Sequence, residues 1–382
     1  MVSDTYTHNL EDLCEKVLEG EVNERFGEMK SAARGIFEEV CGIPRDNVLI
    51  VYGEQMDPPI VKNLGKAFLS SIIERKICSL GVEAKSVYLG LENDIFGSNA
   101  EVFVGLGLLH EGQAKQLGKQ TYAFAPVTQD YVDNLVGIIE KDHPFRFREL
   151  GDYDITKQRI RELGGKEKTI GSFNYALRSL LGRGLGFCRD GFSLSLLEDK
   201  AMRDKEIRDL FLPFSKRERE APARAYVSWD AGGNRDRRLD TGIRRYEVLF
   251  GEEDVCVRNP YRNEIVFKKS FEDLLEDERA CFLSFDAWSR AAFLYSVAGS
   301  GVSVTGGGSV YNERLVDYWD RQGLPRPLLT HISSRGFTEQ SKRLAIDLPG
   351  KAKEICGVLE DLEKIKTTSD PVFSYFASWR SP

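Results

Sequence analysis

Three consecutive glycines offer the clearest place for ligand chemistry in this chain. Gly306, Gly307 and Gly308 follow the run Val-Ser-Val-Thr, and Ser309 opens a stretch with helical character. Glycine lets a ligand approach the backbone, and the first amides of a helix bind anions. We therefore expect a phosphate or diphosphate site here, with Ser309 as the helix N-cap. A tight turn without a ligand is the alternative, and the lack of a following Gly-Lys-Ser/Thr argues against a P-loop ATPase.

Three residues are candidates for proton transfer to or from a hydroxyl group. His110 follows the apolar run Glu-Val-Phe-Val-Gly-Leu-Gly, and a neutral imidazole can act as a base near neutral pH. Glu54 and Asp57 come just after the first predicted strand. The structural alternatives are a helix-capping or core histidine and two acids in a solvated turn.

Arginine side chains are candidates for binding a leaving phosphate. Arg235 and Arg238 come shortly after a predicted strand, and guanidinium groups make bidentate contacts with phosphate. Asp236 and Asp240 lie among them, so an exposed charged loop is the alternative.

The first third of the chain alternates between strand and helix patterns. Helical spacing over residues 8–41 predicts N-terminal helices, and further helices are expected at 60–80 and 110–118. Strands are predicted at 47–53, 83–90, 101–107 and 120–127. Alternation of this kind is typical of parallel βαβ units. We expect N-terminal helices over 1–45 and a Rossmann-like α/β domain over 46–140.

The rest of the chain divides into three predicted parts. Residues 141–221 are highly charged and predict a helical insert or linker. Over 222–349 the alternation of strands and helices resumes, which predicts a second Rossmann-like domain, and 350–382 reads as a C-terminal helix and tail. The expected fold class is α/β, with two Rossmann-like domains facing a cleft in which a ligand binds.

The C-terminal pattern resembles a known enzyme family. A helix, a strand, the Gly306–Ser309 loop, a helix bearing Glu313, the turn Gly323-Leu324-Pro325 and the pair Glu339-Gln340 follow in that order. This order is similar to that of the two-Rossmann-domain (GT-B) nucleotide-sugar glycosyltransferases and epimerases, over about 60 residues. The resemblance implies that the glycine loop binds the donor diphosphate. It also implies that Glu339 and Gln340 lie near the donor sugar or ribose hydroxyls.

A second short motif matches the spacing of a different protein family. Arg326 and His331 have the Arg-x4-His spacing of the HEPN ribonuclease motif, which lies on a helix. Pro325 and Pro327 flank this segment and favour an extended chain instead. We therefore expect a strand here and not a ribonuclease helix.

Three functional hypotheses follow from the sequence. The first is a glycosyltransferase-like enzyme that binds a nucleotide sugar and transfers the sugar to an acceptor. The second is a nucleotide-sensing regulatory protein, whose long N-terminal helices would form a homodimer face. The third rests on residues 45–135, which look like the N-terminal domain of thermophilic metallo-aminopeptidases, although no metal-ligand set follows.

Composition limits the partners. The chain has 382 residues with a net charge of −7, which argues against a dedicated nucleic-acid binder. The four histidines show no HxH or HExxH pattern, and the seven cysteines are scattered. We therefore expect no metal site and no cofactor. The acidic N-terminus and the lack of a long apolar run predict a cytoplasmic protein without a membrane span. The expected partner is a nucleotide sugar or another phosphorylated small molecule.

Overall fold

The described part of the chain forms two sheets with helices packed around them. The computed structural model describes residues 24–55, 70, 74–75, 77–92, 103–104, 107–117, 120–142, 153–185, 190–216, 221–230, 243–260, 262–299, 302–306, 321–324 and 329–332. The helices are α1 (Glu24–Cys41), α2 (Glu111–Leu117), α3 (Gln129–Asp142), α4 (Tyr153–Lys166), α5 (Ile170–Leu185), α6 (Leu194–Arg203), α7 (Lys205–Phe211), α8 (Phe271–Leu275) and α9 (Ala287–Ala298). The strands are β1 (Val48–Gln55), β2 (Ala84–Leu91), β3 (Asp190–Ser193), β4 (Ala223–Asp230), β5 (Ile243–Phe250), β6 (Val255–Asn259), β7 (Glu264–Lys269), β8 (Ala280–Phe285), β9 (Val302–Gly306) and β10 (Leu329–Ile332).

The first sheet is parallel and has the order β10-β9-β1-β2-β3. Strand β1 lies in the middle and pairs with β2 along its whole length, from Val48–Ala84 to Gln55–Leu91. This order is that of a doubly wound sheet, in which successive strands move outward from the centre in both directions. The expected mixed α/β character is thus confirmed, and two strands of this parallel sheet come from the C-terminal part of the chain.

One face of the parallel sheet is covered by α1 and α9. Strands β1 and β2 contribute alternate apolar residues to this core, since side chains along a strand point to opposite faces. The fully buried Met29 and Phe37 of α1 belong to the same cluster, and Phe26 stacks on Tyr295 of α9 with ring centroids 5.0 Å apart. The apolar face of α1 therefore packs within its own chain, whereas the sequence suggested a homodimer face.

The opposite face of the parallel sheet carries an aromatic layer under α5. Tyr52 of β1 and Tyr88 of β2 lie side by side, with ring centroids 5.3 Å apart. The guanidinium carbon of Arg178, a buried residue of α5, lies 4.0 Å from the centroid of the Tyr88 ring. A desolvated cation–π contact of this kind is worth about 2 kcal/mol. It holds α5 against the sheet beside the carboxyl ends of the strands.

The second sheet is antiparallel and has the order β7-β6-β5-β4-β8. Its core face includes Trp229, whose ring makes edge-on contacts with Tyr246 and Phe267. The turns between β5, β6 and β7 are short, and Asn263 has a positive φ of 54° at the β6–β7 turn. Asparagine tolerates this left-handed conformation, which suits a tight hairpin.

Helix α6 connects the two sheets. It begins directly after β3 and packs on α1 and β2 on one side and on β8 on the other. The carboxylate of Asp199 accepts a hydrogen bond from the backbone N–H of Leu283 (2.8 Å). Glu198 is fully buried and forms an ion pair with Arg290 of α9, with an Nε–Oε1 distance of 2.6 Å. These contacts tie the antiparallel sheet to the helical layer of the parallel sheet.

The structure corrects the expectation of two Rossmann-like domains. The strands between Ala223 and Phe285 pair in antiparallel fashion, so they do not form a second parallel sheet. Strand β9, expected in that second domain, pairs with β1 instead. The physical reason is that only short turns join β5 to β6 and β6 to β7, whereas a parallel connection needs a long crossover. The predicted helical insert also contains β3.

Two predicted strands in the first third are wrong. The run at 101–107 contains helical residues at 103–104 and a turn from 107, and the run at 120–127 is mainly turns with isolated bridges. Phe103 and Tyr122 are buried all the same. Short apolar runs indicate burial more reliably than they indicate strand, because helices and turns also bury such residues. Within the described ranges, no helix combines the length and the apolarity needed to cross a membrane.

The buried ion pair of α6 and α9 gives a stability test. We expect Glu198→Ala to lower the free energy of unfolding by about 3–5 kcal/mol, because it leaves Arg290 buried without its carboxylate. The matched control is Asp133→Ala, which breaks the ion pair with Arg161, where both side chains are half exposed. That change is expected to cost at most about 1 kcal/mol. Urea unfolding measures both, and equal losses would contradict the structural role of Glu198.

Candidate functional site

The order in which the chain adds strands to the parallel sheet reverses at β1. From β1 the chain moves to β2 and β3 on one side, and later to β9 and β10 on the other. Among the described residues, β1 and β9 pair only at Ile50–Val302 and Val51–Ser303. Beyond this point the described part of β1 pairs with β2 alone. The carboxyl ends of β1 and β9 therefore lie at the switch point of the sheet, and open α/β sheets bind ligands in a crevice at this position.

The crevice brings together two residues that the sequence singled out. Strand β1 continues to Gln55, and β9 continues to Gly306, which pairs with Ile332 of β10 on its other side. In the register set by Ile50–Val302, Glu54 lies level with Gly306. The acidic candidate of the N-terminal part and the first residue of the glycine loop thus flank the same crevice.

Glu92 follows β2 directly, and hydrogen bonds of its backbone hold it in place. Its N–H donates to the hydroxyl of Ser195 (3.0 Å), a fully buried residue of α6. Its carbonyl accepts from the N–H of Ala123 (2.8 Å). Because Gln55 pairs with Leu91, Glu92 lies one residue beyond the end of the β1–β2 ladder. Its strand, β2, is the neighbour of β1, and adjacent strands lie about 4.8 Å apart, so Glu92 is one strand away from the crevice.

The side chain of Glu92 is a carboxyl group in a poorly solvated environment. Its Oε2 accepts a hydrogen bond from the hydroxyl of Ser193, which ends β3. Burial raises the pKa of the Glu92 carboxyl above its usual value, and the bond from Ser193 opposes this only in part. A carboxyl group with a raised pKa, fixed at the edge of a sheet, suits proton transfer.

Ser193 positions this carboxyl group and also starts α6. Its hydroxyl accepts a hydrogen bond from the N–H of Leu196 (3.1 Å), as the N-cap of the helix. The same hydroxyl donates to Glu92. The strand–helix junction therefore fixes the Glu92 side chain, so that its orientation is set before a ligand binds.

Glu92 also lines an open cleft of about 540 Å³ between α4 and α5. This volume falls in the range of small-molecule sites, about 300–1,000 Å³. The cleft and the crevice adjoin the same edge of the parallel sheet, because Glu92 follows β2 and β2 pairs with β1. Together they form the candidate functional site.

The structure places His110 away from this arrangement. His110 is exposed at the start of α2, where its backbone N–H donates to Oε1 of Gln113 (3.2 Å). The prediction that it follows a strand is wrong, since the preceding residues form a turn. It is not among the residues that line the cleft of Glu92. Its proposed role as a base stays a prediction.

Most other predicted site residues lie outside the described part of the chain. These are Asp57, Gly307, Gly308, Ser309, Glu313, Arg235, Arg238, Glu339 and Gln340. Two described segments bear on the predictions. Gly323 has a positive φ of 65°, which confirms a turn in the Gly-x-Pro segment. His331 lies in β10, which confirms an extended chain in place of a HEPN helix.

Sequence reasoning missed Glu92 and Ser193. The signal for Glu92 was present, because an acidic residue follows the predicted strand Glu-Ala-Lys-Ser-Val-Tyr-Leu-Gly by two positions. Ser193 was hidden because β3 has only four residues and lies inside a segment that was expected to be helical. No local pattern indicates that these two strand ends are neighbours.

Comparison with known proteins assigns the chain to no family. No protein-family model matches the chain, and a search of curated proteins found no match. Within the described ranges, no group of three histidine, cysteine, aspartate or glutamate side chains is arranged to hold a metal ion.

The raised pKa of Glu92 predicts a pH-dependent stability. The folded chain keeps Glu92 protonated to a higher pH than the unfolded chain does, so its ionisation costs stability as the pH rises. Glu92→Gln cannot ionise, and its amide oxygen can still accept the bond from Ser193. We expect the melting temperature of this variant, relative to the unmodified chain, to increase from pH 4 to pH 7.5.

The control for that measurement is Glu162→Gln, because Glu162 is an exposed carboxyl on the same cleft. Substitution of an exposed residue is expected to change stability by at most about 0.5 kcal/mol at each pH. Thermal unfolding over the pH series gives both curves. A constant difference for Glu92→Gln would contradict a protonation that is coupled to folding.

Proposed function

We propose that this chain is a nucleotide-dependent group-transfer enzyme, whose donor is a nucleotide sugar. The phosphates of the donor bind in the crevice between β1 and β9, and the sugar is transferred to an acceptor hydroxyl near Glu92. The observation that carries the proposal is the early end of the β1–β9 ladder at Val51–Ser303, with a glycine at the end of β9.

The crevice suits a phosphate group for two reasons. Gly306 ends β9 without a side chain, and two further glycines follow it in the sequence, so backbone amides can approach phosphate oxygens closely. The switch point of an open parallel sheet is also where such ligands bind in doubly wound folds. Both features concern the same few residues, which supports a phosphate rather than an uncharged ligand.

The position of the Glu92 carboxyl favours a group-transfer reaction over binding alone. An acceptor hydroxyl must lose its proton as it attacks, and a carboxylate within hydrogen-bonding reach accepts that proton. Burial and the bond from Ser193 hold Glu92 in one place beside the crevice. This arrangement replaces His110, Glu54 and Asp57 with Glu92 as the favoured base.

The nucleotide sugar comes from the resemblance of the C-terminal sequence to the GT-B family. The described structure changes how that resemblance applies. Donor and acceptor would bind at neighbouring positions along one parallel sheet, instead of on two facing Rossmann-like lobes. Glu339 and Gln340 keep the places near the donor sugar or ribose that the resemblance implies, and Glu313 stays a predicted substrate-binding residue.

The other two hypotheses have less support. A nucleotide sensor was expected to use its N-terminal helices as a dimer face, but α1 packs against α9 in the same chain. A relative of the metallo-aminopeptidases would be stabilised by divalent metal. A nucleotide sensor, unlike the enzyme, would be insensitive to loss of Glu92.

A ligand screen tests the proposed function. We expect UDP-, GDP-, CMP- or dTDP-sugars, but not divalent metals or cyclic oligonucleotides, to raise the melting temperature. At 100 times Kd, a ligand of the folded state adds about 2.7 kcal/mol of stability. Gly306→Val is expected to abolish the shift, while valine suits the strand that it replaces.

The control for this screen is Gly112→Val, because a side chain added at Gly112 of α2 meets nothing within 4 Å. It should respond to the nucleotide sugar like the unmodified chain. An unchanged shift in Gly306→Val, or stabilisation by metal alone, would refute the proposed donor site.

A further inference from the structure

The cleft beside Glu92 is a groove between two helix faces. Helix α4 contributes Arg159, Glu162, Leu163 and Lys166, which have the spacing of a single helical face. The chain turns after Lys166, and α5 then runs back along the groove as its second wall. The helical lining residues come from the last eight residues of α4 and from the first eleven residues of α5.

The second wall is small and rigid. Ser172, Ala176 and Ser179 line the groove from α5, and their small side chains leave it open. The hydroxyl of Tyr175 donates to the carbonyl of Gly191 in β3, which fixes the tyrosine ring at the inner end of this wall. A side chain at Gly191 would meet the Tyr175 hydroxyl at 3.2 Å, so the glycine makes this contact with β3 possible.

The side chains at the bottom of the groove, its inner level, differ in chemistry from those on its outer rim. Its inner level carries the partly buried carboxyl of Glu92, which accepts hydrogen bonds. Its outer rim carries Arg159 and Lys166, both exposed, and neither forms an ion pair with another described residue. Seven positions along a helix separate the two backbone positions by about 10 Å, a distance that the long arginine and lysine side chains can close to reach one anionic group.

Two acidic residues, Glu162 and Glu167, also line the groove beside these cations. Glu162 lies between the two cations along α4 and accepts a hydrogen bond from the side chain of Gln158 (2.9 Å). That bond is made within the helix, and in the described part of the chain neither Glu162 nor Glu167 forms an ion pair with Arg159 or Lys166. The rim therefore suits a ligand with an anionic group, and the inner level suits a hydroxyl donor.

We propose that this groove binds the acceptor substrate, a small hydroxylated molecule that carries one anionic group, as in a sugar phosphate or a sugar acid. Arg159 and Lys166 bind the anionic group, and one hydroxyl of the acceptor donates to Glu92. This inference rests on the proposed transfer reaction for its role, but binding to the groove can be measured without a donor.

The reaction at this site balances as follows in bonds and protons. The acceptor oxygen forms a bond to the anomeric carbon of the donor sugar, and the bond between that carbon and the diphosphate oxygen breaks. The electron pair leaves with the nucleoside diphosphate, and the acceptor proton passes to the Glu92 carboxylate.

Calorimetric titration tests the groove directly. Glucose 6-phosphate and glucuronate are titrated into the full chain, with uncharged glucose for comparison. We expect one or both anions to bind and glucose not to bind. The double variant Arg159→Ala/Lys166→Ala is expected to weaken the binding about tenfold or more, because a hydrogen bond to a charged group is worth about 1.5–3 kcal/mol.

The matched control removes the same charge from the same region. Arg161→Ala/Lys168→Ala also deletes two cations, but neither residue lines the groove, and Arg161 pairs with Asp133. This variant should bind the anions like the unmodified chain. Equal weakening in both double variants would show a general charge effect and overturn the groove proposal, as would the absence of binding by both anions.

The donor site is tested separately on the same proteins. Arg159→Ala/Lys166→Ala should keep the melting-temperature shift caused by the nucleotide sugar, and Gly306→Val should keep the binding of the sugar anion. Loss of the nucleotide shift in the groove variant would place the nucleotide in the groove and overturn the acceptor assignment. Binding of the anion without any nucleotide response would leave the groove intact as a site and refute the donor proposal instead.

Discussion

The candidate site depends on one constraint, the pairing of β1 with strands from both ends of the described chain. Strand β1 pairs with β2 along eight residues and with β9 only at Ile50–Val302 and Val51–Ser303. This short ladder joins segments about 250 positions apart and sets the switch point of the sheet. Without it, β9 and β10 would not belong to the sheet.

Glu92 illustrates how a fold can hold a group at some cost to its stability. The backbone of Glu92 is bonded to Ser195 and Ala123, and its carboxyl, whose ionisation is disfavoured by burial, accepts a hydrogen bond from Ser193. Active sites commonly retain such groups because the orientation is needed for function. The side chains around it hold their charges differently, since the Arg178 guanidinium lies against the Tyr88 ring and Glu198 pairs with Arg290.

Much of the local structure could be predicted from the sequence, but the pairing of the strands could not. The apolar runs of β1, β2, β9 and β10 were identified because their residue types favour strands. The sequence also predicted that Glu54 and Gly306 lie at strand ends. Which strands pair depends on long-range contacts, so the antiparallel sheet was taken for a second Rossmann-like domain. For the same reason the contact between Glu92 and Ser193, about 100 positions apart, could not be found from local patterns.

Hydrogen exchange with a bound nucleotide sugar is the sharpest test of the phosphate site, because it reports which backbone amides a ligand protects. We expect slower exchange in peptides that cover residues 50–55 and 302–308, at the carboxyl ends of β1 and β9. We also expect unchanged exchange across the antiparallel sheet from 223 to 285. Protection confined to that sheet, or none at the two strand ends under saturating ligand, would contradict a phosphate site at the switch point.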